Sequence, residues 1–387
     1  MNNLLFISGT SRSGTTLIDR LISSHPELSV LSQPFPYLFL FAKKSFLASL
    51  GYENEYNVLS SCFMEKRYNI RDFNNYLNNL TISSDEVVKL FEQMQNYSGQ
   101  KIKLSNISIL ENLNKKDSFI NHFKNLLSIM QKKTNISYVG SKEICCEEFF
   151  PFLTENSVKC IMIIRDPRDV ISSSVFGNSE EYIGKHRPVL FYIRNWRKSV
   201  AFKIHLENNN NFLFLKYEDL VNNPLNELNK ITEFLKIKNF TEEILRKDIV
   251  DQDGRRWVGN SSYNPDYSLI SQKSQGKYKE LMPPEMINYI ESLCFPEMNH
   301  LNYEITTDTK DYKKHLLRYK EPFVISRPEF EPDFSTSESN LKDEIKRIEL
   351  LQSQKAENAN ELTDYYIFSE VYTKLKKEYN IKSELRI

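Results

Sequence analysis

The chain opens on Leu4-Leu5-Phe6-Ile7-Ser8-Gly9-Thr10-Ser11-Arg12-Ser13-Gly14-Thr15-Thr16-Leu17. This stretch limits the fold more than any other. Four consecutive apolar residues predict a strand buried on both faces, as in a parallel sheet. A turn of glycine and small hydroxyl residues follows, and Leu17, Ile18, Leu21 and Ile22 then recur at helical spacing. Strand, tight loop and helix together wrap backbone N–H groups around an anion and aim a helix N-terminus at it. The loop approximates the pattern of two spaced glycines followed by Lys and Ser/Thr. Gly9 and Gly14 take the glycine positions and Thr16 the hydroxyl position, but Thr15 stands where the lysine belongs. The cation sits inside the loop instead, at Arg12. That lysine reaches the β- and γ-phosphates of a triphosphate. Its absence, with no acidic strand end in view for magnesium, argues for a shorter, terminally anionic group. The bland alternative is a Gly/Ser turn with no ligand.

A second block has the same architecture. Val158-Lys159-Cys160-Ile161-Met162-Ile163-Ile164 reads as a buried strand and runs into Arg165-Asp166-Pro167-Arg168. Asp166 suits a helix N-cap and Pro167 the first helical position. Arg165 then stands at the strand end, and Ser173 lies about two turns into the helix. A guanidinium there can grip a dianionic phosphate in a bidentate way. Between the two blocks, Ser137-Tyr138-Val139-Gly140 predicts a short strand followed by Ser141-Lys142-Glu143. Ligands of parallel α/β sheets bind beyond the carboxyl ends of the strands, so Lys142 is placed to meet an anion; a surface lysine is the alternative.

Ser11-Arg12-Ser13-Gly14-Thr15-Thr16-Leu17, with His25-Pro26 after the helix, resembles the 5′-phosphosulfate loop of sulfotransferases that use 3′-phosphoadenosine 5′-phosphosulfate (PAPS). The form is nearest the tyrosylprotein and bacterial carbohydrate or natural-product branches. Arg165 and Ser173 match that family's 3′-phosphate ligands. A third, polar block, Gly259 to Tyr263 and Ile270 to Tyr278, resembles the loop over the nucleotide. There Lys273, Ser274 and Lys277 could add donors, or be ordinary solvent residues, and Tyr278 stands where relatives usually have Trp. The strand Phe212-Leu213-Phe214-Leu215, then Tyr217-Glu218-Asp219-Leu220 and a helix from Pro224, is a further family pattern and reads as structural. The likeness covers about 4–303.

The resemblance implies an α/β, P-loop-type three-layer domain with a central parallel sheet over 1–304. Its acceptor side would be a variable, mostly helical insertion at 35–136. Past Tyr303 the likeness stops, and residues 305–387 are expected to form a helical extension, an extended arm followed by helices. The implied activity is transfer of a sulfuryl group from PAPS to a hydroxyl of a small-molecule, glycan or peptide-tyrosine acceptor. Arg12, Lys142 and the N–H groups of Ser11, Arg12, Ser13, Gly14, Thr15 and Thr16 would carry binding and charge stabilisation. The tyrosylprotein branch places its general base, a glutamate, where this chain has Gln33. An amide cannot accept a proton at neutral pH; either the base lies elsewhere, at His186 first and Glu143 second, or the acceptor is acidic enough, such as a phenol, to need no strong base, or catalysis has been lost. Two rivals stand beside this reading: a sulfotransferase-like binding module without turnover, and a P-loop nucleotide or sugar kinase.

Composition bounds the rest. Fifty-one basic and fifty-one acidic residues in 387 balance, which argues against a nucleic-acid or membrane-surface protein. No apolar run reaches membrane-spanning length, and no leader is visible. The five cysteines make no C-x-x-C pair, which suits reduced thiols in the cytoplasm. The six histidines show no metal-ligand spacing, so no metal is expected. The aromatics Phe35, Tyr37, Phe39, Phe41, Phe46 and Tyr52 suit either packing or an acceptor pocket. Asp85 to Met94 and Phe119 to Met130 predict helices. In the extension, Leu341, Ile345, Ile348 and Leu351 predict one helix face and Tyr365 to Tyr379 a second helix. These would serve packing against the domain or a homodimer.

Overall fold

The computed structural model describes residues 3–52, 69–95, 110, 113–131, 134–177, 187–246, 270–325, 334–353 and 359–384. The first half of the chain forms β1 (Asn3–Ser8), α1 (Thr15–Ser23), β2 (Leu28–Ser32), α2 (Pro36–Ser49), α3 (Ile70–Asn79), β3 (Thr81–Ser83), α4 (Ser84–Gln95), β4 (Lys116–Ser118), α5 (Phe119–Met130), β5 (Tyr138–Lys142) and α6 (Phe150–Glu155). Then come β6 (Lys159–Ile164), α7 (Pro167–Val175), α8 (Val189–His205), β7 (Phe212–Lys216), α9 (Tyr217–Asn222), α10 (Pro224–Leu235), α11 (Glu242–Arg246), α12 (Tyr278–Leu281) and α13 (Pro284–His300).

The central sheet has the order β2-β5-β1-β6-β7, and every neighbouring pair is parallel. The expected α/β class with a central parallel sheet is thus what the chain adopts. β1 lies in the middle, which explains its unbroken apolar run. Its two faces feed two cores. Leu5 and Ile7 join Ile18, Leu21, Ile163 and Leu228 on the side of α1 and α10. Phe6 joins the other core, with ring centroids 5.2 Å from Phe39, 6.1 Å from Phe123 and 5.8 Å from Phe150. Phe35, Phe39 and Phe46 are buried there, so these three aromatics of the second stretch serve packing. The helices expected at 85–94 and 119–130 are α4 and α5. β3 and β4 pair antiparallel beside them.

Gly140 is required by a close approach. A Cβ there would lie 2.3 Å from the Leu5 carbonyl oxygen, where no side chain fits between β5 and β1. The strand also runs further than its apolar part predicts. It includes Ser141 and Lys142, because both pair in register with β1 and β2.

Beyond α13 the chain forms α14 (Tyr312–Arg318), α15 (Glu338–Gln352), α16 (Ala359–Tyr366) and α17 (Ser369–Glu384). α14 was not anticipated, and the single helix expected over 365–379 is two. Ile367 between them has φ 68°, the left-handed region that ends helices. On α15, Ile348 and Leu351 are buried as expected, whereas Leu341 and Ile345 are half-buried. The buried stripe also contains Glu344 and Arg347. Glu344 accepts from Arg194 Nε at 2.9 Å and from Arg197 Nη1 at 2.6 Å, both on α8, and Arg347 pairs with Glu297 of α13. The extension therefore spends its buried faces within the chain. No described helix is long and apolar enough to cross a membrane.

Burial alone would raise the Glu344 carboxyl, but Arg197 and Arg194 hold it down at about 2. Its contribution to stability is therefore present above about 4.5 and is lost as pH falls toward about 2. Glu344→Ala should cost about 3–5 kcal/mol near neutral pH, because two guanidinium groups lose their shared partner in the interior. Urea denaturation at pH 7 and pH 3 measures both effects; the deficit should shrink at the lower pH.

Candidate functional site

The loop between β1 and α1 is shaped by two backbone requirements. A Cβ on Gly9 would lie 2.4 Å from the Ile163 carbonyl oxygen. Gly14 has φ 94°, and a Cβ there would lie 2.5 Å from the Tyr217 ring. Arg12 also adopts a positive φ of 69°. The hydroxyls of Thr10 and Ser13 bond each other, and Ser13 N–H donates to Thr10 O at 3.2 Å. Gly14 is the N-cap of α1 and supplies no side-chain acceptor to it. Loop and helix start thus offer N–H groups and the positive end of a helix dipole to an anion.

The second block forms as its sequence predicts. Asp166 caps α7 by accepting from Arg168 N at 2.9 Å, with Pro167 opening the helix. Arg165 leaves the end of β6, and Ser173 lies buried on α7. The fold brings the two blocks into contact. Arg12 Nε donates to Ser173 Oγ at 2.9 Å, and Arg165 Nη1 donates to Arg12 O at 3.3 Å. The Arg165 guanidinium lies 4.7 Å from the centre of the Tyr217 ring. Two guanidinium groups and a hydroxyl therefore converge beside the glycine loop.

The third block reaches the same place from the other side. Arg165 Nη2 donates to Ser274 O, so Ser274 joins the site through its backbone. Asp169 of α7 accepts from Gly276 N at 2.8 Å and Tyr278 N at 3.2 Å, and lies 3.5 Å from Arg165 Nη2. Burial pushes the Asp169 carboxyl up and Arg165 opposes it. Tyr278 lies under the Arg168 guanidinium at 4.3 Å. Lys273 is exposed, and Lys277 pairs with Glu280 at 2.7 Å. Gly259 to Tyr263 and His186 lie outside the described residues.

Lys142 is buried. Its Nζ lies 3.3 Å from Thr16 Oγ1, 3.3 Å from Gln33 Oε1 and 3.4 Å from Asp19 Oδ2. Gln33 has φ 48°, and its N–H donates to Lys142 O at 2.7 Å. Glu143 serves the other core. Its Oε1 accepts from Phe35 N at 2.8 Å, just ahead of α2. Sequence reasoning missed Asp19, Asp169 and Tyr217. Asp19 carries no motif signal. Asp169 repeats the Arg-Asp step of the second block, and Tyr217 directly follows a strand end; both were legible cues to the site. Among the described residues no group of three or more His, Cys, Asp or Glu side chains could hold a metal.

Burial pushes the Glu143 carboxyl up to about 8, against the Phe35 N–H and the Lys142 charge. A carboxyl raised in the folded state contributes stability that is full below about 4.5 and is lost as pH rises to about 8. Glu143→Gln should abolish this loss, so its melting temperature should fall less than that of the wild type between pH 5 and pH 8.5, roughly the window that the shift defines. Scanning calorimetry across that range is the measurement.

The chain resembles solved structures over most of its length. The sulfotransferase domain from the curacin biosynthetic pathway is 20% identical, with a TM-score of 0.47, over 79% of this chain and 99% of that one. A mouse sulfotransferase, SULT7A1 complexed with PAP, is 13% identical, with a TM-score of 0.40, over 82% and 89%. Retinol dehydratase in complex with androsterone and inactive cofactor PAP is 17% identical, with a TM-score of 0.36, over 79% and 82%. No curated protein sequence matches significantly. The sulfotransferase domain model matches residues 3–302, the whole α/β body with all three blocks, and the chain therefore belongs to the sulfotransferase domain family.

Proposed function

We propose that this chain transfers a sulfuryl group from PAPS to a hydroxyl of an acceptor, a carbohydrate, a natural product or a peptide tyrosine. The observation that carries the reading is the junction of the two blocks, where Arg12 meets Ser173 and Arg165 meets the Arg12 carbonyl. A donor with anionic groups at both its 5′ and 3′ positions uses both halves of such a site. ATP would leave the Arg165 end without a phosphate and would lack a lysine in the loop.

The residues fit that donor. Gly9 and Gly14 let the loop seat against the Ile163 carbonyl and the Tyr217 ring, Ser13 braces it through Thr10, and Ser11, Arg12, Thr15 and Thr16 would supply N–H and hydroxyl donors to the anion. Arg165 and Ser173 would hold the 3′-phosphate. Ser274 positions Arg165 through its carbonyl, and Tyr278 secures that loop through Asp169. Lys273 and Lys277 lie on the same block, and Lys277 would exchange its pair with Glu280 for the 3′-phosphate. The donor supplies an electrophilic sulfur and a phosphate leaving group when bound. Arg12 and Lys142 are suited to neutralise charge that develops at the loop. Lys142 is fixed by three oxygen partners, so little reorganisation accompanies that task. This logic of positioning and electrostatics needs no metal, as in other transfers between anionic groups.

A binding module without turnover is the second reading, favoured by Gln33. Its amide oxygen is bonded to Lys142 and cannot take up a proton. Labelled PAPS added to a cell extract decides between them: label in an acceptor, dependent on this chain, supports the transferase, and donor-product binding with no transfer supports the module.

Adenosine 3′,5′-bisphosphate should bind in clear preference to AMP in calorimetry. Arg165→Ala should remove most of that preference, roughly 1.5–3 kcal/mol for a charge-assisted bidentate contact. Equal affinity of the wild type for the two nucleotides contradicts the donor assignment. Lys142→Ala should lower kcat and kcat/KM together, with little change in donor-product affinity, as expected when an interaction is made mainly in the transition state.

A further inference from the structure

Among the described residues, the site as built so far has no proton acceptor for the acceptor hydroxyl. Gln33 is an amide, and Glu143 faces the opposite core. One carboxylate does stand beside Lys142, Thr16 and Gln33. Asp19 projects from α1 and is buried at 1% exposure. Its Oδ2 accepts from Ser32 Oγ at 2.8 Å and lies 3.4 Å from Lys142 Nζ. Its Oδ1 is buried without a hydrogen-bond partner; Arg20 Nε is the nearest cation, at 3.4 Å. A buried carboxylate oxygen left unbonded is costly, and in native structures such a group often marks a site with a role in chemistry.

Ser32 closes β2 and is half-buried. It precedes Gln33 at the carboxyl end of a parallel strand, the edge where ligands bind. Its hydroxyl proton points to Asp19, which leaves the oxygen lone pairs free to accept another proton. Lys142 is the group that faces Asp19 from β5, Ser32 the one from β2, and Arg20 the one on its own helix.

We propose that Ser32 and Asp19 form a proton relay that replaces the missing glutamate, with Ser32 taking the proton of the acceptor hydroxyl and Asp19 holding it. The inference rests on the sulfotransferase reading above. The acceptor proton passes to Ser32 Oγ as the Ser32 hydroxyl proton passes to Asp19 Oδ2. The electron pair freed on the acceptor oxygen forms the new O–S bond. The S–O bond to the 5′-phosphate breaks, and its electron pair stays on the phosphate oxygen. Asp19 returns its proton to solvent after release. Gln33, whose Oε1 is engaged by Lys142, keeps its NH₂ to orient the acceptor oxygen. Asp19 acts through Ser32 and is a positioning and proton-holding residue; Ser32 is the group that meets the acceptor.

The rival is that Asp19 serves only as the counterion of Lys142, a role that does not involve Ser32. Ser32→Ala separates the two, because it leaves the Asp19–Lys142 pair intact. With labelled PAPS and two probe acceptors, phenol and the more acidic p-nitrophenol, Ser32→Ala should lose about hundredfold or more in kcat on phenol. The loss on p-nitrophenol should be much smaller, since an acidic hydroxyl needs less help. Adenosine 3′,5′-bisphosphate affinity and melting temperature should stay near the wild-type values.

Equal loss on both phenols, or no loss on either, overturns the relay alone. No transfer by the wild type to either phenol or to any component of an extract overturns the functional reading, and the relay with it.

Discussion

Two backbone contacts around β1 fix everything that the site uses. The Leu5 carbonyl occupies the space that a side chain at residue 140 would need, and the Ile163 carbonyl does the same at residue 9. Interiors pack too densely for either contact to relax. The first holds β5 against β1, and the second holds the start of the loop against the end of β6. The loop is therefore pinned at its root between the two strands that deliver Lys142 and Arg165. Tyr217, at the end of β7, fills the space left by Gly14 and lies against the Arg165 guanidinium. The positive groups are gathered by three strand ends, and no long loop has to be ordered to bring them together.

Buried charge is the second theme, and it links the extension to the loop. Arg197 of α8 meets Glu344 of α15. The next residue, Lys198, lies 3.1 Å from Glu148 and 3.5 Å from Glu147. Glu148 also meets Lys43 of α2 at 3.0 Å. Lys43 Nζ donates to Cys145 O at 2.8 Å, and Cys145 N–H donates to Gly9 O at 3.0 Å. Burial works against the Lys198 charge, yet the two glutamates hold its pKa above the ordinary lysine value. Such pairs add little net stability over apolar packing, but losing one partner is severely destabilising. They join α2, α8 and α15 in one chain of contacts that ends at the glycine loop.

The parts of this structure legible in the sequence are those where local pattern and tertiary role agree. Leu4 to Ile7 are apolar because β1 is central, and Gly9 and Gly14 are glycine because neighbours leave no room. The places of Arg165 at the strand end and Ser173 on the helix were readable because Asp166 and Pro167 mark where the strand hands over to the helix. What stayed hidden were charges on apolar faces. Glu344 sits among Ile348 and Leu351, and periodicity assigns such a charge to solvent. Its burial follows only from Arg194 and Arg197 on a helix far away in sequence. Asp19 was hidden for a different reason: it occupies a polar slot on an amphipathic helix, where a charge is expected to face solvent, and only the parallel pairing of β2 with β5 brings Ser32 and Lys142 to it. The two-residue break at Ile367 was invisible because a β-branched residue rarely adopts the left-handed region.

Register is the constraint through which these parts become a site. Lys142 pairs with Ile7 on one side and Ser32 on the other, and Gly140, two residues earlier, pairs with Leu5. Side chains alternate faces along a strand, so Lys142 and Glu143 must part. Lys142 goes to the face of α1, where Thr16, Asp19 and Gln33 meet it. Glu143 goes to the face of α2, where burial raises its pKa and Phe35 N–H is its partner. A slip of one residue in β5 would exchange them. It would put a protonatable acid beside the glycine loop and an uncompensated lysine in the aromatic core. That slip would also bring a side chain, Val139 or Ser141, into the space filled by the Leu5 carbonyl. The glycine that looks merely like the end of a short apolar strand thus decides which charge faces the loop.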